Sequence, residues 1–191
     1  MLKWLSIITL LALAAGIAVG AVVAGAGDQG HAAHDFPAAG PSVPAPVRRV
    51  AVWDFDAHHG NGTEDILRDR PNVLFVSVHQ YPGYPGTCTA SFANCQNFPV
   101  APHTPREAHM ADLARSWDKV LGFRPDLVLV SAGFDAYARD PITEMTLERE
   151  DFATLGRWLG ESGLPAAAIL EGGYSPDLPQ LIDSFLTAWK D

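Results

Sequence analysis

Cysteine is scarce in this chain of 191 residues, which carries only Cys88 and Cys95. They lie in a polar Thr/Ser/Asn stretch, at a spacing unlike the short pairs that bind zinc or run thioredoxin chemistry, so neither activity is indicated by cysteine. A local disulfide, in keeping with an oxidising compartment, and two free thiols both stay open. Basic runs are also missing: 13 Lys and Arg stand against 22 Asp and Glu, the net charge is -9 and the charges are scattered. That excludes direct tracking of a nucleic-acid backbone, leaves cationic substrates open, and in its plainest reading describes a soluble surface. No Gly-x-Ser-x-Gly elbow occurs, so serine hydrolysis finds no support.

Charge is absent altogether from Trp4 to Gly27, after Lys3 and up to the small residues Ala24-Gly25-Ala26. Residues 1–27 therefore look like a signal peptide or an uncleaved anchor, implying export or membrane contact through residues 4–27. The stretch is only weakly apolar, and a start assigned too far upstream would leave the same domain cytoplasmic. Residues 28–47, rich in Ala, Gly and Pro, read as a flexible linker that buries too little to fold. What remains, residues 48–191, is long enough for one domain with a core.

Within it, the run Val50-Ala51-Val52-Trp53 predicts a strand, Thr63 to Asp69 a short helix and Asn72 to His79 a second, buried strand. Gln80 to about Pro105 reads as a rigid loop, because Pro and Gly recur through it. Arg106 to Phe123 has helical spacing of Leu113, Trp117 and Val120. Asp126 to Ser131 predicts a strand buried on both faces, Thr146 a cap for a helix running past Leu159, Ala166 to Leu170 another buried strand, and Leu178 to Trp189 a last helix. Strands alternating with helices imply an α/β fold with a parallel sheet, in which ligands bind at the carboxyl ends of strands.

The polar residues worth attention fall at such ends. Asp54-Phe55-Asp56-Ala57-His58-His59-Gly60-Asn61-Gly62 follows the first strand, and alternation puts Asp54, Asp56 and His58 on one side. Asp135 follows the third predicted strand and Glu171-Gly172-Gly173-Tyr174 the fourth. Asp56, His58 and Asp135 offer two oxygens and a nitrogen with positions left open, a donor set suited to catalytic zinc. Such an ion would polarise a carbonyl and acidify water, and Tyr174 could hydrogen-bond an oxyanion. Taken singly, an Asp at a strand exit is more often a helix cap, a Gly-Gly-Tyr a turn, and His59 a hydrogen-bond partner of a nearby loop. The coincidence of three such exits favours a site.

Together these segments resemble the zinc-dependent histone deacetylase and acetylpolyamine amidohydrolase family, especially its bacterial and class II branch. The resemblance runs through Asp54 to Thr63, His79-Gln80-Tyr81-Pro82 with Tyr84-Pro85-Gly86-Thr87, Ser131 to Ala136 with Asp140-Pro141, and Glu171 to Tyr174, covering roughly Arg48 to Trp189. It implies an arginase-deacetylase-like fold, incomplete at its N-terminal side. It further implies Asp56, His58 and Asp135 as zinc ligands, Tyr174 as oxyanion donor and Tyr84 as lining of an acyl-lysine channel. Asp54 would orient a catalytic histidine and, with Asp56, His58 and Ser77, contribute to a structural K+ site. The implied substrate is an acetylated lysine peptide or an acetylated polyamine.

The family's His-His pair, which belongs upstream of the first zinc strand, has no counterpart here: His31 and His34 stand three apart in the linker, too near Asp54. Cys88 also replaces the glycine that the family carries after Pro-Gly-Thr. The expectation is a truncated or weakly active deacetylase, with a non-catalytic metal- or ligand-binding domain as its rival. An arginase-like dimanganese hydrolase is less well supported, because Gly60 and Gly133 stand where its additional acids belong.

Overall fold

The computed structural model describes residues 46–190, so the predicted leader and almost all of the predicted linker lie outside the described residues. No described helix is long and apolar enough to cross a membrane. The elements follow in the order β1 (Val50–Asp54), α1 (Asn61–Leu67), β2 (Val73–Gln80), β3 (Cys95–Val100), α2 (Arg106–Phe123), β4 (Leu127–Ala132), α3 (Arg149–Glu161), β5 (Ala166–Leu170) and α4 (Leu178–Lys190). All five strands are parallel, in the order β3-β2-β1-β4-β5. The chain leaves β1 toward one edge and later returns to its other side with β4, so the strand order reverses beside β1. A crevice opens at that place in a parallel sheet, outside the carboxyl ends of the strands.

One face of the sheet carries Ala51, Trp53, Val76, Val78, Val128 and Val130, and α2, α3 and α4 pack against it through residues such as Leu113, Trp117, Leu155 and Phe185. Trp53 and Trp117 stack with ring centroids 4.6 Å apart, and the Trp53 indole donates to Ser116 Oγ at 2.9 Å. Aromatic pairs of this kind add about 0.5–1.5 kcal/mol to plain burial. On the opposite face a smaller apolar group, Val52, Phe75 and Cys95, packs with Leu67 and Phe92. Toward the carboxyl ends this second face turns polar, with Asp54, Ser77 and Asn97 aligned across neighbouring strands.

The structure departs from the sequence expectations at three places and decides a fourth point that was open. First, the predicted loop from Gln80 to Pro105 contains an edge strand, β3. Its residues show no clear apolar alternation because Cys95 sits in the small apolar group while Asn97, on the same face, hydrogen-bonds Glu64, and Pro99 is tolerated at an edge. Second, α3 starts after Glu148 and not at Thr146. Glu148 and Asp151 form a reciprocal capping box, while Thr146 donates its hydroxyl to the Thr104 carbonyl. Third, β4 is fully buried on one face only, and β5 is a half-exposed edge where Leu170 is 54% accessible, since α1 covers the other side of the sheet only near β2. Fourth, of the two states left open for the cysteines, the free thiols are found, with Cys95 buried.

Candidate functional site

β1 runs straight into the segment Phe55 to Gly60, and its carboxylates fold back onto backbone amides. Asp54 Oδ1 accepts from the Asp56 N–H at 3.1 Å and Asp56 Oδ1 from the His58 N–H at 2.7 Å. Asp135, just beyond β4, accepts from the Ala57 N–H at 2.8 Å, and Asp56 Oδ2 accepts from the Gly172 N–H at 2.6 Å. Three strand exits are thus tied together by charge-assisted hydrogen bonds, the strong kind.

These ties bring Asp56, His58 and Asp135 together so that one donor atom from each lies within 4.8 Å of the others. His58 Nδ1 stands 2.8 Å from Asp135 Oδ2 and 3.2 Å from Asp56 Oδ1. The hydrogen bond with Asp135, then that with Asp56, push the imidazole up to about 10. Burial raises Asp135 to about 6 against the opposing pull of His58, and burial together with Asp56 holds Asp54 well above the ordinary carboxylate range. An acidic cluster that lifts its own pKa values and captures a proton on the imidazole is short of positive charge, and a divalent cation would supply it. The donor chemistry, two carboxylates and an imidazole with other positions free, fits such an ion. Gly172 leaves the room: a Cβ there would come within 2.5 Å of Asp56 Oδ2 and closer still to Asp135.

Tyr174 lies on the turn after β5, with its N–H donating to Asp140 Oδ2 at 2.8 Å and its side chain half exposed. Gly173 has φ +136, a conformation that suits glycine. Burial first, then Asp135 and Asp56, hold the Tyr174 phenol above its usual range, so it stays a donor. Tyr84 is exposed, its ring 6.3 Å from that of His58 in an edge-on arrangement. Asp54 and Ser77 are register partners on β1 and β2, and Ser77 Oγ lies 3.0 Å from His79 Nδ1. No described histidine hydrogen-bonds the Asp54 side chain.

Sequence reasoning gave Asp140 no task, although it fixes the Tyr174 backbone and also accepts from the Ile142 N–H at 3.0 Å. The Asp-Pro pair that holds it was visible, but the contact across 34 residues was not. His59 turns away from His58 and meets Thr87 Oγ1 at 2.8 Å, the loop contact anticipated for it. Glu64, on the same buried side, received no role from the sequence.

The model of the histone deacetylase domain matches residues 42–189. The chain belongs to the histone deacetylase family. Among relatives of the family, a probable deacetylase of Methanothermobacter thermautotrophicus is 41% identical in an alignment that covers 69% of this chain and 43% of that protein. Acetylpolyamine amidohydrolase 1 of Pseudomonas aeruginosa is 36% identical over 68% of this chain and 40% of its own length. The crystal structure of an acetylpolyamine aminohydrolase from Burkholderia pseudomallei superimposes with a TM-score of 0.70 at 31% identity, covering 75% of this chain and 45% of that one. The structure of the histone deacetylase Clr3 gives 0.62 at 32% identity, over 75% of this chain and 27% of that one. The chain thus spans less than half the length of these deacetylase relatives.

Proposed function

We propose that the chain carries the metal-binding part of a deacetylase-type amide hydrolase, acting on an acetylated amine, either acetyl-lysine in a peptide or an acetylated polyamine. The observation that carries this reading is the meeting of Asp56, His58 and Asp135 beside Tyr174 at the reversal of strand order. A zinc ion held by those three residues would supply Lewis-acid polarisation of the amide carbonyl and a water acidic enough to attack at neutral pH. Tyr174 would donate its phenolic proton to the carbonyl oxygen as that oxygen gains charge, and Asp140 would keep the donor in place through the backbone. Tyr84 would lie along the acyl chain, packing its ring against methylene groups. A structural K+ ion is proposed beside Asp54, Asp56, His58 and Ser77.

One ion fits better than the two of an arginase-like site. A Cβ at Gly60 would meet Asp54 Oδ2 at 2.6 Å, and one at Gly133 would meet Asp56, so neither position has space for the second acid such a site needs. Asp54 without a histidine partner favours a second reading, a domain that grips metal or acylated ligand with little turnover. Loss of a general base costs a factor of about 100 to 10,000 in rate.

The zinc-loaded chain is to be assayed on an acetyl-lysine peptide and on acetylated polyamines, alongside Asp135→Ala. Slow hydrolysis that disappears in the variant, together with its bound zinc, is the expected result. Zinc binding without hydrolysis would establish the non-catalytic reading, and failure to bind zinc would overturn both.

A further inference from the structure

His58 and His59 are neighbours in sequence whose rings leave the chain on opposite sides, and only His58 faces the acids of the candidate centre. His59 enters a separate pocket bounded by α1, the segment between β2 and β3, and β3 itself. One donor atom each from His59, Glu64 and Cys88 lies within 4.8 Å of the others there, with His59 and Glu64 buried and Cys88 half-buried. We propose that these three residues form a second metal site, distinct from the deacetylase centre and of the zinc class, which staples the segment Tyr81 to Asn94 to α1.

Unmet hydrogen-bonding capacity is the first support. Among the described residues three buried side-chain polar atoms have no hydrogen-bond partner, and two of them, His59 Nε2 and Asn97 Oδ1, are in this pocket. The His59 side chain is 1% exposed. Nε2 stands 3.4 Å from Glu64 Oε2, and in the tautomer whose Nδ1–H donates to Thr87 Oγ1 it turns a lone pair toward that carboxylate. In that tautomer two acceptors face each other, and a cation between them removes the repulsion. An imidazole whose other nitrogen is held by a hydrogen bond is also how ligating histidines are oriented.

Glu64 and Cys88 complete the pattern. The Cys88 thiol donates to Glu64 Oε1 at 2.6 Å, and Asn97 Nδ2 donates to Glu64 Oε2 at 2.6 Å. Asn97 Nδ2 donates also to the Ala90 carbonyl at 3.3 Å, so this amide orients the Glu64 carboxylate. A thiolate, an imidazole nitrogen and a carboxylate select zinc or a similar borderline ion over calcium or magnesium. Cys88 has φ +55, a left-handed conformation that costs a side chain about 1–2 kcal/mol. A cysteine held at a position where the resemblance calls for glycine is consistent with a task for its sulfur.

The test is metal analysis and cobalt spectroscopy of the full chain loaded with Co2+. The native chain should bind two equivalents and show a thiolate-to-cobalt charge-transfer band in the near ultraviolet. Cys88→Gly, which relieves the left-handed backbone, and Cys88→Ser should each lose one equivalent and the band. Asp135→Asn should lose the other equivalent and keep the band, which separates this site from the deacetylase centre. Cys95→Ser should keep both. Absence of the band from the native chain, its persistence in the Cys88 variants, or its loss only in Cys95→Ser would overturn the proposal.

Discussion

Tyr174 shows how much of the site hangs on single contacts. Its amide is pinned by Asp140 and its phenol is held above the usual range by burial and then by nearby acids, so its expected work is donation to an oxyanion. Tyr174→Phe should leave bound zinc unchanged and lower the turnover of the zinc-loaded chain by about 100- to 1,000-fold, the usual worth of one such donor. Equal kcat in the two proteins would remove Tyr174 from the chemistry. Burial sets the behaviour of His109, whose Nδ1 lacks a partner: it is lowered from 6.5 to about 4, with Asp151 opposing the shift. A depressed histidine is neutral in the folded state while the unfolded chain takes up a proton, so its stabilisation is complete above pH 6.5 and is lost as pH falls toward 4. The slope is at most about 1.4 kcal/mol per pH unit for each such group. His79, also lowered to about 4 by burial, adds to it. Asp135 and Asp54, raised in the folded state, act in the opposite sense over this window, so the comparison with His109→Leu isolates the histidine. The urea midpoint of the native chain relative to that of the variant should fall as pH is lowered between these limits.

Among the elements, α3 illustrates a helix start set by contacts across the chain. The Asp151 side chain accepts from the Glu148 N–H at 2.8 Å and from Arg106 Nε at 2.6 Å. Asp151→Ala should cost about 1–2 kcal/mol of stability, chiefly through the lost cap, since the arginine is partly solvated. Thermal melts at neutral pH would show the shift, and an unchanged Tm would deny the cap its role. Sequence periodicity located β1, β2, β4, β5 and the longer helices because their buried residues recur at the period of the element, as Leu113, Trp117 and Val120 do in α2. It missed β3, where the buried Asn97 serves Glu64 and interrupts the apolar pattern between Cys95 and Val100. That Asp56, His58 and Asp135 come together was legible because polar chemistry and strand exits coincide in them. Asp140 and Glu64 were not, since their partners Tyr174, Cys88 and Asn97 lie 24 to 34 residues away.

On the scale of the whole molecule, β1 is central and β3 and β5 are edges. Asp56 and His58 follow the central strand and Asp135 its neighbour β4, whereas Tyr174 follows an edge where Leu170 is already half uncovered. Edge elements open at lower free energy than central ones. Fraying of β5 would therefore carry off the phenol, and with it the Gly172 N–H that Asp56 accepts, while Asp56, His58 and Asp135, the proposed ligands, keep their places beyond β1 and β4. In mild denaturant the zinc-loaded chain is expected to pass through a form that keeps the proposed ion and has lost the hydrolysis proposed for it.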